Sequence, residues 1–254
     1  PVDAAGGQLY WFPRQFTFDN YAVIFRDEQL LNSFLLTVAR TALGTLTGVL
    51  FTAMGAYALS KSRLVFRKTY SMIGLVTMYV SGGLIPTYLL LQKLHLLNTF
   101  WVYIIPSLFN IFNALLFMAF FRQLPEELEE SAKVDGSGDF YIFARIILPL
   151  SKPVLATVAL FVAVNHWNDW FSSAYFVSNQ QLWTLPTIIV RMLSDTAIIE
   201  NMQSLPPNMR MDPLSTLMAI KYATLIVTVL PITLVYPFIQ KYFVQGMMVG
   251  AIKA

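Results

Sequence analysis

The chain has no cysteine, only two histidines, and only 12% charged residues in a length of 254. Without cysteine there is no disulfide framework, no thiolate metal site and no cysteine nucleophile. An average soluble domain carries about 25% charged residues, so this chain has too little polar surface to cover a soluble fold of its size. The phosphate-cradling run G-x-x-x-x-G-K-[ST] is missing, as are H-E-x-x-H, a metal-spaced histidine pair and a serine-nucleophile elbow. The chain therefore reads as no enzyme, with no ATPase site, cofactor or metal of its own. A net charge of +3 points to no nucleic acid. The start, Pro1-Val-Asp-Ala-Ala, has no basic region followed by an apolar one, so it does not read as a signal peptide.

What is present is apolar surface: 56% hydrophobic and 15% aromatic residues. They fall in blocks of about 20, the length that crosses a hydrocarbon layer of about 30 Å as a helix. Short segments of alternating polarity, the mark of a membrane barrel, are not seen. The expected fold is an all-α integral membrane protein, a polytopic helical bundle. Spans are expected at 30–60, 69–91, 100–121, 153–177 and 214–238. The second is interrupted by Ser81-Gly82-Gly83 and Pro86. Gly44, Gly48, Thr52 and Ala56 form a row of small residues at i, i+4 that lets another helix approach closely. Residues 1–29 read as a segment at the membrane surface, 178–213 as a long outer loop and 244–254 as a tail.

Lysine and arginine set the orientation. Lys61, Arg63, Arg67, Lys68, Arg122, Lys133, Arg145, Lys152, Lys241 and Lys253 fall on one side of this layout. Arg14, Arg26, Lys93, Arg191 and Arg210 fall on the other. The first set marks the cytoplasm and leaves the N-terminus outside. An outside start without a signal peptide is explained if one more helix precedes Pro1, giving six spans in the intact subunit. Arg40 and Lys221 lie near span ends, where long cationic side chains reach the interface.

Between the third and fourth spans lies a charged stretch, 122–149, that reads as a helix–turn–helix. Pro125 suits a first helical turn, Glu126, Glu127 and Glu129 complement the positive end of the dipole, and Leu124, Leu128 and Ala132 share one face. Gly136 suits a left-handed helix end, and Ser137 then caps a second helix, 139–148, stopped by Pro149. Helices that lie on lipid are basic on their polar face, whereas this one is acidic, which favours docking to a protein.

The run Glu130-Ser131-Ala132, Gly136 and Ile146-Ile147-Leu148-Pro149 resembles the EAA signature of the permease subunits of ABC importers, with Ser131 in place of the usual first alanine. Leu124-Pro125-Glu126-Glu127-Leu128, Gly82-Gly83-Leu84-Ile85-Pro86, Leu97-Asn98-Thr99, Trp167-Asn168-Asp169 and the run from Gln240 to Lys253 are similar to the carbohydrate-uptake, maltose-permease-like branch, so the resemblance covers residues 12–253. It implies a type-1 importer transmembrane domain over 30–243. A coupling loop at 122–149 would insert into a groove on an ATPase through Glu130, Ser131, Ala132, Asp135 and Gly136. The partners implied are a second permease, two ATPase subunits that bind the ATP and magnesium, an external sugar-binding protein and membrane lipid. The implied location is a bacterial or archaeal plasma membrane. The implied function is import of a carbohydrate, an oligosaccharide.

Polar residues inside the spans are costly and usually face a partner or a cavity. Asn165, His166, Trp167 and Asn168 in the fourth span, with Tyr79 and Asn113 in the second and third, are the candidates for the sugar pathway. Asp169 is assigned a structural role, bracing a broken helix through backbone N–H groups. A secondary transporter or channel is the alternative function. It would call for an inverted repeat and a buried ion-coupling site, and neither is visible.

Overall fold

The computed structural model describes residues 27–202, 222–231 and 233, leaving aside the side chains of 195–202. All regular structure among them is helical. The chain divides into two compact units, Pro1–Ala39 with Trp167–Leu234, and Arg40–His166 with Val235–Ala254.

The elements run α1 (Glu28–Ser60), α2 (Arg67–Tyr79), α3 (Leu84–Lys93), two 3-10 turns (Phe100–Tyr103 and Ile105–Ser107), α4 (Ile111–Phe121) and α5 (Glu127–Val134). There follow α6 (Asp139–Leu150), α7 (Lys152–Asn168), α8 (Phe171–Phe176), α9 (Leu185–Met202) and α10 (Tyr222–Pro231). Among the described residues α1 alone is long and apolar enough to cross a membrane by itself. Its 33 residues reach about 50 Å. Three pairs pass that test only together, and each is bent: α2 with α3 by 118°, the 3-10 turns with α4 by 45°, and α6 with α7 by 86°. The five expected spans are thus not countable as five straight helices. The stretch 214–238 is described only in part.

The bends have local causes. Gly83, at φ 85°, opens α3, in a conformation that a side chain strains. Asn110 caps α4, its Oδ1 accepting the Asn113 N–H at 3.0 Å. Pro149 does not stop its helix as expected. The preceding turn, Phe143–Ile147, is a π-helix, and this register change carries the ladder past the missing proline N–H to Leu150.

In the 40–166 unit the small-residue row packs closely, as its spacing implies. A Cβ on Gly44 would lie 2.4 Å from His166 Nε2, and one on Gly48 would lie 3.3 Å from the Ser107 carbonyl. Thr52 Oγ1 donates to the Leu108 carbonyl at 3.3 Å and accepts the Asn110 N–H at 3.3 Å, and Ala56 is fully buried. Beside this row a continuous core joins Ala53 and Tyr57 of α1 to Ala114, Phe117 and Phe121 of α4, and further to Ala132 of α5, Ile142 and Ile147 of α6 and Val158 of α7. Arg40 is a correction. It does not reach an interface but is 2% exposed, with its guanidinium 4.5 Å from the Tyr103 ring centre, where a desolvated cation–π contact is strongest.

In the other unit, Leu30 of α1 meets Leu185, Ile188 and Ile189 of α9 and Ala223 of α10, and the Leu185 N–H donates to Thr37 Oγ1 at 2.9 Å. The stretch read as an outer loop, 178–213, is therefore helical over α9. Its apolar residues at 185, 188, 189 and 192 have helical spacing, and Pro186 sits in the first turn, where its missing N–H costs nothing.

Candidate functional site

Two places in the 40–166 unit collect the polar residues that the sequence singles out. The first is the α5–α6 hairpin. α5 ends in a Schellman motif: the Gly136 N–H donates to the Lys133 carbonyl at 3.0 Å and the Ser137 N–H to the Ala132 carbonyl at 2.9 Å, with Gly136 at φ 81°. Gly138, not Ser137, is the cap residue of α6, and Pro125 precedes the cap Glu126. Lys133 Nζ and Asp139 Oδ1, 3.1 Å apart, close the turn. At the end of α1, Lys61 pairs with Glu129 and lies 4.0 Å from the Tyr57 ring centre, and Tyr57 packs on Phe143 at 5.3 Å. The hairpin is thereby fixed to the end of α1.

Of the five expected docking residues, Glu130, Ser131, Asp135 and Gly136 are exposed. Ala132 is not. At 9% exposure it belongs to the core of the unit, so it seats α5 on the chain itself. Leu128, expected on the same inward face, is exposed.

The second place is a cavity of about 540 Å³ where the break before α4 faces α7. Its walls are Pro106, Ser107, Phe109, Asn110, Phe112 and Asn113 from one side and Phe161, Val162, Asn165 and His166 from the other. Three phenylalanines thus alternate with three amides, a hydroxyl and an imidazole. Ser107 Oγ lies 2.9 Å from the Ile104 carbonyl and 3.1 Å from that of Tyr103, so its proton goes to a carbonyl. It also faces His166 Nε2 at 3.4 Å. Asn113 is 7% exposed, and among the described residues its side-chain amide has no partner.

The structure thus brings Asn113, Asn165 and His166 together but leaves Tyr79 out: at 85% exposure it lies at the end of α2 and does not line the cavity. Ser107, Asn110 and the three phenylalanines were not singled out from the sequence. Their signal was the pair Ser107 and Asn110 beside Pro106 within an apolar run, where a break frees backbone and side chains to face a cavity.

In the other unit, Trp167 is buried, its Nε1 donating to the Thr228 carbonyl at 3.2 Å, with Phe34 edge-on at 6.2 Å. That commits the indole to packing. Asn168 is exposed. Asp169 stands at the break after α7, and its Oδ1 accepts the Ser172 N–H at 3.1 Å, the contact that a bracing role requires. No group of three histidine, aspartate or glutamate side chains that could hold a metal occurs among the described residues.

A family model described as binding-protein-dependent transport system inner membrane component matches residues 44–249. Protein LplC of Bacillus subtilis is 40% identical over 257 residues, covering 99% of this chain and 84% of that protein. The polygalacturonan/rhamnogalacturonan transport system permease protein YtcP of the same organism is 35% identical, covering 95% of this chain and 83% of its own length. Among solved structures, a bacterial ABC transporter involved in the import of the acidic polysaccharide alginate contains a similar chain. It has a TM-score of 0.83 and 27% identity, covering 95% of this chain and 85% of that one.

Proposed function

Because the chain belongs to the family of binding-protein-dependent transport system inner membrane components, we propose that it is a membrane-spanning permease subunit of an ATP-driven importer of carbohydrate. Permease subunits of this kind are not enzymes; ATP and its magnesium are bound by the partner ATPase. The complex comprises this chain, a second permease, two ATPase copies and an external binding protein. YtcP and the alginate importer are both named for polysaccharides, which supports carbohydrate as the cargo. The cavity carries the reading at the level of residues: phenylalanine faces stack on the C–H surface of a sugar ring, and amides bond its hydroxyls.

The exposed edge of the α5–α6 hairpin, Glu130, Ser131, Asp135 and Gly136, docks the ATPase. Closure of the two ATPases moves the hairpin, and α6 passes the movement to α7, which carries Asn165 and His166. Asp169 keeps the break after α7 in register. The excess of lysine and arginine at Lys61, Arg63, Arg67 and Lys68 supports a cytoplasmic position for this end.

The test is Gly136→Val. A Cβ there meets no atom within 4 Å, so the first penalty is the left-handed backbone, about 1–2 kcal/mol. The expected result is a permease that inserts in normal amount but loses co-purifying ATPase. A normal yield of ATPase with the variant overturns the docking assignment. Failure of the reconstituted wild-type complex to move any carbohydrate overturns the cargo.

A further inference from the structure

Resting on the reading of this cavity as part of the sugar pathway, we infer that it is a subsite for an uncharged, hydroxyl-bearing ring, with Asn113 as its specificity-determining residue. None of its ten lining residues is lysine, arginine, aspartate or glutamate. Asn113 is nine-tenths buried, lines the cavity, and has an amide with no partner among the described residues. Its amide atoms are not shut off from solvent but open onto the cavity, where a ring hydroxyl can take the place of water. Asn165, on the opposite wall, is exposed, and among the described residues its side-chain amide has no hydrogen-bond partner. The pair offers two acceptors and four donors across a space walled by Phe109, Phe112 and Phe161. A ring hydroxyl is both donor and acceptor, and so it satisfies an amide at either end.

A carboxylate fits this lining poorly. It only accepts, and entering an apolar-walled cavity without a cation strips its water uncompensated. The buried cation Arg40 does not line the cavity: its guanidinium lies against the Tyr103 ring, and it has other partners. An amide lining therefore ranks neutral sugars above uronates at this point of the pathway, whatever the external binding protein delivers.

The chain has no cysteine, so Val162→Cys places a single reporter on the cavity wall at a residue given no sugar contact. The experiment uses the assembled complex with cysteine-free partners and no binding protein. The rate of maleimide labelling is followed against concentration of raffinose, a neutral trisaccharide, or of trigalacturonate. Raffinose is expected to protect, with trigalacturonate at least about tenfold weaker. Asn113→Leu, which keeps the volume and removes the amide, should raise the half-protecting concentration of raffinose about tenfold, one hydrogen bond's worth. Equal or stronger protection by trigalacturonate overturns the inference while leaving the sugar pathway intact. Protection by neither sugar overturns both, and an Asn113→Leu variant that inserts normally and binds raffinose unchanged overturns the role given to Asn113 while leaving the sugar pathway intact.

Discussion

A single methyl group tests the contact between α1 and α7. Gly44 lies against His166 so closely that a Cβ would come within 2.4 Å of Nε2 and within 2.6 Å of Cε1. The ring must therefore move if Gly44→Ala is made, with an overpacking penalty of about 1–3 kcal/mol. The thermal midpoint of the purified complex should fall accordingly. His166→Ala in the same chain should restore part of it, the two changes falling short of their sum by about 1 kcal/mol. Additive effects would show that the contact is not formed. The small-residue row was legible because i, i+4 spacing fixes one helix face whatever lies opposite. The identity of the neighbour was not, since nothing in the order of residues tells Gly44 that it meets position 166. Arg40 shows the same gap. Its place near a span end fits an interfacial cation, and only packing reveals the Tyr103 ring against it.

At the scale of elements, one ion pair and one ring contact add to the apolar core that holds the hairpin to α1. Lys61 bridges Glu129 and the Tyr57 face, with its side chain still 27% accessible. Such a partly screened pair contributes about 1 kcal/mol or less. Lys61→Met removes the charge yet keeps an apolar stem over the ring. Amide hydrogen exchange in 127–134 should then quicken by about fivefold or less, whereas Glu129→Ala together with Tyr57→Ala should quicken it more. No change in either variant would show that α5 is held by its apolar contacts alone. The turn of this hairpin was readable from Gly136, because a glycine after an acidic, amphipathic run has few other roles. The passage of α6 through Pro149 was not, since a π turn that absorbs a proline leaves no mark in composition. α9 was taken for a loop because Pro186 and the polar residues around it look like punctuation until the 185, 188, 189, 192 spacing is aligned with α1.

For the molecule as a whole, family and helical class were legible and the number of crossings was not. Composition points to a helical membrane protein, and the 122–149 motif resembles the family that the matching model shows. Counting spans needs the bend angles, which depend on which breaks are held open by tertiary contacts. Orientation is testable without counting. Ser62 and Gln180 are both exposed, and each can carry a lone cysteine. An impermeant maleimide added to intact cells should label position 180 and spare position 62; the reverse pattern would invert the molecule and detach the hairpin from the cytoplasm.

The 86° bend between α6 and α7 has a mechanical consequence. Two rigid arms meeting near a right angle form a bell crank, which turns a push along one arm into a sideways sweep of the other. Asn165 stands 13 residues beyond Lys152, about 20 Å from the pivot at the helical rise. A rotation of about 10° at buried Ser151 then carries Asn165 sideways by about 3.5 Å, the length of a van der Waals contact. If an ATPase docks on the hairpin as proposed, the ratio between its stroke and the sweep at Asn165 is set by the lengths of these two helices.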